Sequence, residues 1–195
     1  MQQGEIIILT LVGLVLLAAI LIWLAVRNRN TTKLREKFGD EYDRTVEEKG
    51  RRSAAEAALE EREKRVAELD IRPLTPQQRD DAIREWREVK AIFVESPVEA
   101  VLHADRLLSR IMQARGYPMA DFDRRYEDLT VEHSEVARHY REGHEITVRH
   151  EEGKASTEDL RQAMIHFEAL FDDLVNEVAH DDEAKPVKGR AKTAH

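Results

Sequence analysis

Apolar and polar positions alternate in a helical rhythm through most of this chain, but its first stretch has no rhythm at all. Ile6 to Val26 is a run of twenty-one residues without a charge, and Thr10 is its single polar interruption. At about 1.5 Å per residue, a helix of that length spans roughly 30 Å, the hydrocarbon thickness of a bilayer. The pattern predicts a transmembrane helix over 6–26, preceded by a stub of residues 1–5 on the extracytoplasmic side. A cleaved signal peptide fits less well. Met1-Gln2-Gln3-Gly4-Glu5 has no basic side chain, the apolar run is too long, and Trp23 and Arg27 stand where small residues are wanted.

Residues 27–70 read as a basic juxtamembrane segment followed by a charged helical stalk. Glu47/Arg51, Glu48/Arg52, Glu60/Lys64 and Glu61/Arg65 are acid-first pairs at i,i+4, the favourable order on an exposed helix. Gly39 and Gly50 interrupt the segment. Ala55, Leu59, Val66 and Leu69 follow heptad spacing, with Arg62 in one seam position. That is fewer heptads than a coiled coil needs, so a connecting helix is preferred to a dimeric one.

Residues 71–179 carry the signature of a helical bundle. Pro73 and Pro76 end the stalk. Thr75 with Gln78 forms a capping box, and Pro76 suits the first helical position. The next helix carries Ile83, Trp86, Val89 and Phe93 on one stripe. Ser96-Pro97 starts another, with Val98, Val101, Leu102, Leu108, Ile111 and Met112, closed by Gly116. Phe122, Tyr126 and Leu129 mark a short amphipathic piece. A further helix runs from Ser134 to Glu152 and stops at Gly153, with Val136, Tyr140 and Ile146 facing inward. Ser156-Thr157-Glu158-Asp159 caps the last one, whose stripe is Leu160, Ala163, Met164, Phe167, Leu170, Phe171, Leu174 and Val178. Residues 180–195 lose the period and read as a disordered tail. The expected class is all-α: one membrane helix, a charged connecting helix and a compact multi-helix bundle, with Trp86, Phe93, Met112, Phe167 and Phe171 in the core.

Charge orients the arrangement. Arg27, Arg29, Lys33, Arg35 and Lys37 follow the apolar run, and no Lys or Arg precedes it. Basic flanks stay on the cytoplasmic side, which places the N-terminus outside and the body in the cytoplasm. Residues 38–180 hold 22 Lys+Arg against 34 Asp+Glu. Such an acidic body argues against nucleic acid as a partner. The absence of cysteine excludes disulfides and thiolate chemistry.

The search for chemistry finds no motif. His144-Glu145 begins like a zinc-protease helix, but Val148 stands where the second histidine belongs. His139 and His150 return to one helix face with roughly 16 Å of rise between them, too far for one ion. His144 points elsewhere, and His166 flanks the core stripe of the last helix. Glu-x-x-His pairs, the mark of helical carboxylate metal sites, are missing from this region: Glu132, Glu135 and Glu142 are each followed at the third place by another residue type, and Ala163 precedes His166. There is no phosphate loop and no nucleophile elbow. The reading is therefore of a protein that is not an enzyme, with no catalytic residue, cofactor or metal. Phe38 and Tyr42 near the membrane, and Tyr117 in the turn Arg115-Gly116-Tyr117-Pro118, are the candidates for docking a partner.

Phe38-Gly39, Glu41-Tyr42-Asp43-Arg44-Thr45-Val46, Glu68-Leu69 with Ile71, Pro73-Leu74, Arg115-Gly116-Tyr117-Pro118 and Ser156 to Met164 resemble an uncharacterised family of bacterial proteins with a single N-terminal transmembrane helix and a helical soluble domain. The resemblance covers residues 33–178 and implies a bacterial origin, but it carries no activity. The expectation is a single-pass protein of the bacterial inner membrane acting as an adaptor or regulatory subunit, with the membrane and a protein as its partners. The alternatives are a structural protein that forms homo-oligomers, and an enzyme or small-ligand-binding domain without a recognisable motif.

Overall fold

The computed structural model describes residues 2–176. Val178 and the expected tail of 180–195 lie outside them. The described residues form eight α-helices and no strand: α1 (Gln2–Phe38), α2 (Asp40–Lys49), α3 (Arg52–Ala67), α4 (Pro76–Glu95), α5 (Pro97–Arg115), α6 (Phe122–Glu132), α7 (Ser134–Glu151) and α8 (Thr157–Asn176). The all-α expectation holds. Contacts divide the chain into two compact units. One comprises the residues as far as Glu68 together with Glu127–Glu135, and the other comprises Leu69–Tyr126 and the residues from Val136 onward.

In the first unit, α1 does not stop where the apolar run ends. It continues to Phe38, and its Gly13–Phe38 part is long and apolar enough to cross a membrane, with a mean hydropathy of 1.4. Leu34 and Phe38 lie one turn apart near the end of this helix and are both buried. Breaks at Gly39 and Gly50 separate α2 and α3 from it, and the three helices pack on one another. The segment expected as a stalk is therefore folded into a small core of Leu34, Phe38, Tyr42, Ala55, Leu59 and Val66. The heptad-like stripe of α3 is buried inside its own chain. Its odd member, Arg62, is buried too, with Nη1 donating to Glu41 at 2.7 Å. Arg62 also reaches Glu127 at 3.4 Å, and Arg65 pairs with Glu127 at 3.0 Å and Asp128 at 2.7 Å. These ion pairs tie the second half of α6 to this unit. Buried charges need partners of this kind, because removal from water otherwise penalises the charged form.

The second unit is built on α4 packed against α5, with α8 against both. Trp86 stacks on Phe171 with ring centroids 4.6 Å apart, and Met112 and Phe167 are buried in the same unit. Phe93 is only half-buried, a departure from its expected core position near the C-terminal end of α4. The capping box at Thr75 and Gln78 forms as read. Ser156 and Asp159 cap α8 reciprocally: each backbone N–H donates to the other's side chain, at 2.7 and 3.2 Å. Ser96 precedes α5 without a side-chain cap bond.

Candidate functional site

The three residues expected to dock a partner are all inside. Phe38 is 0%, Tyr42 1% and Tyr117 3% exposed. In the first unit, Tyr42 spends its hydroxyl on Glu56, to which it donates at 3.0 Å, and accepts from Arg52 Nε at 3.1 Å. Tyr117 is held by the close of α5, where its N–H donates to the Met112 carbonyl at 3.0 Å. All three residues are buried, so none offers an exposed ring.

The residues that do converge lie on α7 and α8. His139 and Glu142 are three apart on α7, on neighbouring positions of one helical face. His166 comes from α8, next to Phe167. A side chain at Gly143 would stand 2.5 Å from Phe167 Cε1, so the missing Cβ lets the Phe167 ring lie against the α7 backbone. That close approach holds His166 opposite His139, one turn of α7 before Gly143.

His139 Nδ1 stands 3.0 Å from His166 Nδ1, His166 Nδ1 stands 3.2 Å from Glu142 Oε2, and His139 Nδ1 stands 3.7 Å from the same oxygen. The imidazole rings are inclined by 30° with centroids 5.3 Å apart. The other carboxylate oxygen, Oε1, accepts from Arg138 Nη1 at 2.9 Å, which fixes the rotation of the group and turns Oε2 to the histidines. The side chains of His139, Glu142 and His166 are 31, 30 and 22% exposed, so the cluster is open on one side to solvent. Burial holds His166 below the ordinary histidine value; Glu142 opposes this, while His139 and Arg138 act in the same direction as burial. Two ring nitrogens and one carboxylate oxygen thus face a common point, the donor set of a borderline transition ion.

The other described histidines do not join this cluster. His144 lies flat on Phe122, with centroids 3.6 Å apart and planes inclined by 10°, and burial lowers its pKa. His103 Nε2 is 2.9 Å from Glu85. Sequence reasoning tests pairs within α7 and the order Glu-x-x-His, and so it passes over His139-x-x-Glu142. The third ligand becomes visible only when α8 is packed against α7. Gly143, on the same face of α7, is the residue whose missing Cβ admits Phe167 of α8.

No protein-family model matches the chain, and neither a search of curated proteins nor one of solved structures returns a match. The resemblance to the bacterial membrane family rests on its quoted segments alone.

Proposed function

We propose that this chain is a single-pass protein of a bacterial inner membrane whose cytoplasmic helical body keeps a protein partner at the membrane surface. It acts as an adaptor or regulatory subunit and not as an enzyme. The observation that supports this reading is the continuity of α1. Its exposed apolar part runs without a break into the turns that bury Leu34 and Phe38 in the first unit. Asn30 Nδ2 donates to Glu60 at 2.6 Å, Thr31 Oγ1 donates to Glu56 at 2.6 Å, and Lys37 pairs with Glu63 at 2.8 Å, so the fastening of α1 to α3 extends one turn before Leu34. An anchor joined in this way carries the first unit directly, with no linker between α1 and that unit. Tethering raises the local concentration of whatever binds the body, and affinity rises with it without any new contact. The basic flank of α1 favours a cytoplasmic body, and the acidic composition of 38–180 keeps that body off anionic lipid and away from nucleic acid.

Crosslinking of the full chain in its native membrane, followed by mass spectrometry, tests this reading. One dominant heterologous protein, absent from a control retaining α1 alone, supports the adaptor role. Capture of copies of the same chain and nothing else would replace it with self-association. Capture of nothing above the control would overturn it.

A further inference from the structure

We propose that His139, Glu142 and His166 form a binding site for a divalent first-row transition ion, Zn²⁺ in the first instance, with the remaining coordination positions open to water. The proposal stands independently of the adaptor reading, because it rests on geometry in the second unit alone.

Distance is the first argument. Tetrahedral ligands about 2.0–2.1 Å from a zinc ion stand roughly 3.3 Å from one another. The three ligand-atom separations of 3.0, 3.2 and 3.7 Å bracket that value. Electrostatics gives the second. Two Nδ1 atoms 3.0 Å apart repel if both carry protons and repel if neither does. One shared proton or one cation resolves the conflict, and the carboxylate oxygen beside them adds negative charge to the same point.

The identity of the ion follows from the donors. Two imidazoles disfavour Mg²⁺ and Ca²⁺, which take oxygen ligands. No thiol is present to select a softer ion. A set of two histidines and one carboxylate with an open side suits Zn²⁺ and, by the same donors, Co²⁺. Arg138 is the outer partner that holds Glu142 in place. The site joins consecutive helices, so a bound ion would also clamp α7 to α8.

The test uses the full chain in detergent micelles, stripped with chelator and titrated with Zn²⁺ alone by calorimetry, then with Co²⁺ alone by visible absorption. One equivalent of tightly bound Zn²⁺ is expected, together with Co²⁺ absorption bands of low-coordinate geometry that Zn²⁺ abolishes. His139→Ala and His166→Ala should each weaken Zn²⁺ binding by at least about tenfold, as even the loss of an outer partner does in metal sites. His103→Ala, outside the cluster, should leave both readouts unchanged. X-ray absorption of the native chain with one equivalent of Zn²⁺ supplies a reading that needs no variant, and two imidazoles in its first shell are expected. A first shell without imidazole, or Zn²⁺ affinity unchanged in a folded His166→Ala chain, would overturn the proposal and leave scattered surface carboxylates as the binders. No uptake of Co²⁺ or Zn²⁺ by the native chain would reduce the cluster to a hydrogen bond between two histidines.

Discussion

A Cβ placed on Gly116 would stand 3.0 Å from the carbonyl carbon of Asp70 and closer still to its oxygen. Both are backbone atoms, and the Arg72 N–H donates to the Arg115 carbonyl at 2.8 Å, so the segment cannot simply swing away. The backbone at Gly116 also has φ +107°, where an L side chain is strained. Gly116→Ala should therefore cost about 2–6 kcal/mol, the sum of backbone strain and overpacking. Gly143→Ala meets the ring of Phe167 instead of backbone. It gains about 1 kcal/mol of helix propensity against an overpacking cost of about 1–3 kcal/mol, so its net loss should be the smaller of the two. Urea midpoints followed by Trp86 fluorescence would rank them, and equal losses would contradict the packing described. In the first unit, Arg62→Met takes from the buried Glu41 its 2.7 Å ion pair and leaves the pair with Arg44 in place. A loss near the lower end of the about 3–5 kcal/mol typical of a broken buried pair is expected, with part of it recovered in the double variant Arg62→Met, Glu41→Leu. Glu56 gives a pH signature. Burial pushes its carboxyl up, but hydrogen bonds from Thr31 and Tyr42 and the charge of Arg52 outweigh that and hold it below the usual 4.5. The unfolded chain therefore binds the proton more readily, so the stabilisation is complete above about pH 4.5 and is lost as pH falls through the lower folded value. Glu56→Gln should flatten the decline of stability below pH 4.5, measured by thermal unfolding across that range.

Helix ends were largely legible because their chemistry is local. Thr75 and Gln78 exchange both bonds of a capping box, so Thr75→Ala should destabilise by about 0.5–2 kcal/mol. Ser96 occupies the same place before α5 but makes no cap bond, and Ser96→Ala should fall within the noise of the same thermal-melt measurement. Equal effects at the two positions would mean that cap geometry does not decide them. What a helix packs against is not local, and here the sequence misleads. The charged pairs of residues 47–65 suggest an exposed stalk, yet Ala55, Leu59 and Val66 of α3 are buried in the same unit as Leu34 and Phe38 of α1, and the two helices touch. Arg62 looks like a flaw in a seam until Glu41 of α2 is found beside it. Phe122, Tyr126 and Leu129 share one helical stripe, but α6 divides after Tyr126 between the two units. The metal-ligand triad has the same character. Its α7 half stands in the reverse order of the Glu-x-x-His pattern, and His166 requires the approach of α8 that Gly143 permits.

At the scale of the whole chain, the proposed orientation rests on five basic residues that do different work. Arg35 pairs with Asp43 at 2.7 Å and Lys37 with Glu63 at 2.8 Å, so these two also serve the fold of the first unit. Arg27, Arg29 and Lys33 are exposed, and the Arg27 guanidinium lies 5.3 Å over the ring of Trp23. An arginine stacked on a tryptophan at the end of an apolar run suits a membrane–water boundary, where the ring and the charge each find their medium. Each such charge near an anionic leaflet is worth about 1 kcal/mol. Replacing Arg27, Arg29 and Lys33 together by glutamine should therefore weaken the orientation without unfolding the first unit, since Arg35 and Lys37 keep their partners. Paired reporters fused to the two termini read this directly. The native chain should report a cytoplasmic C-terminus alone, and the triple variant a mixture of both orientations. A native chain reporting its C-terminus outside would overturn the proposed topology. A triple variant that keeps the native orientation would show that the two remaining bases and the acidic body are enough to set it.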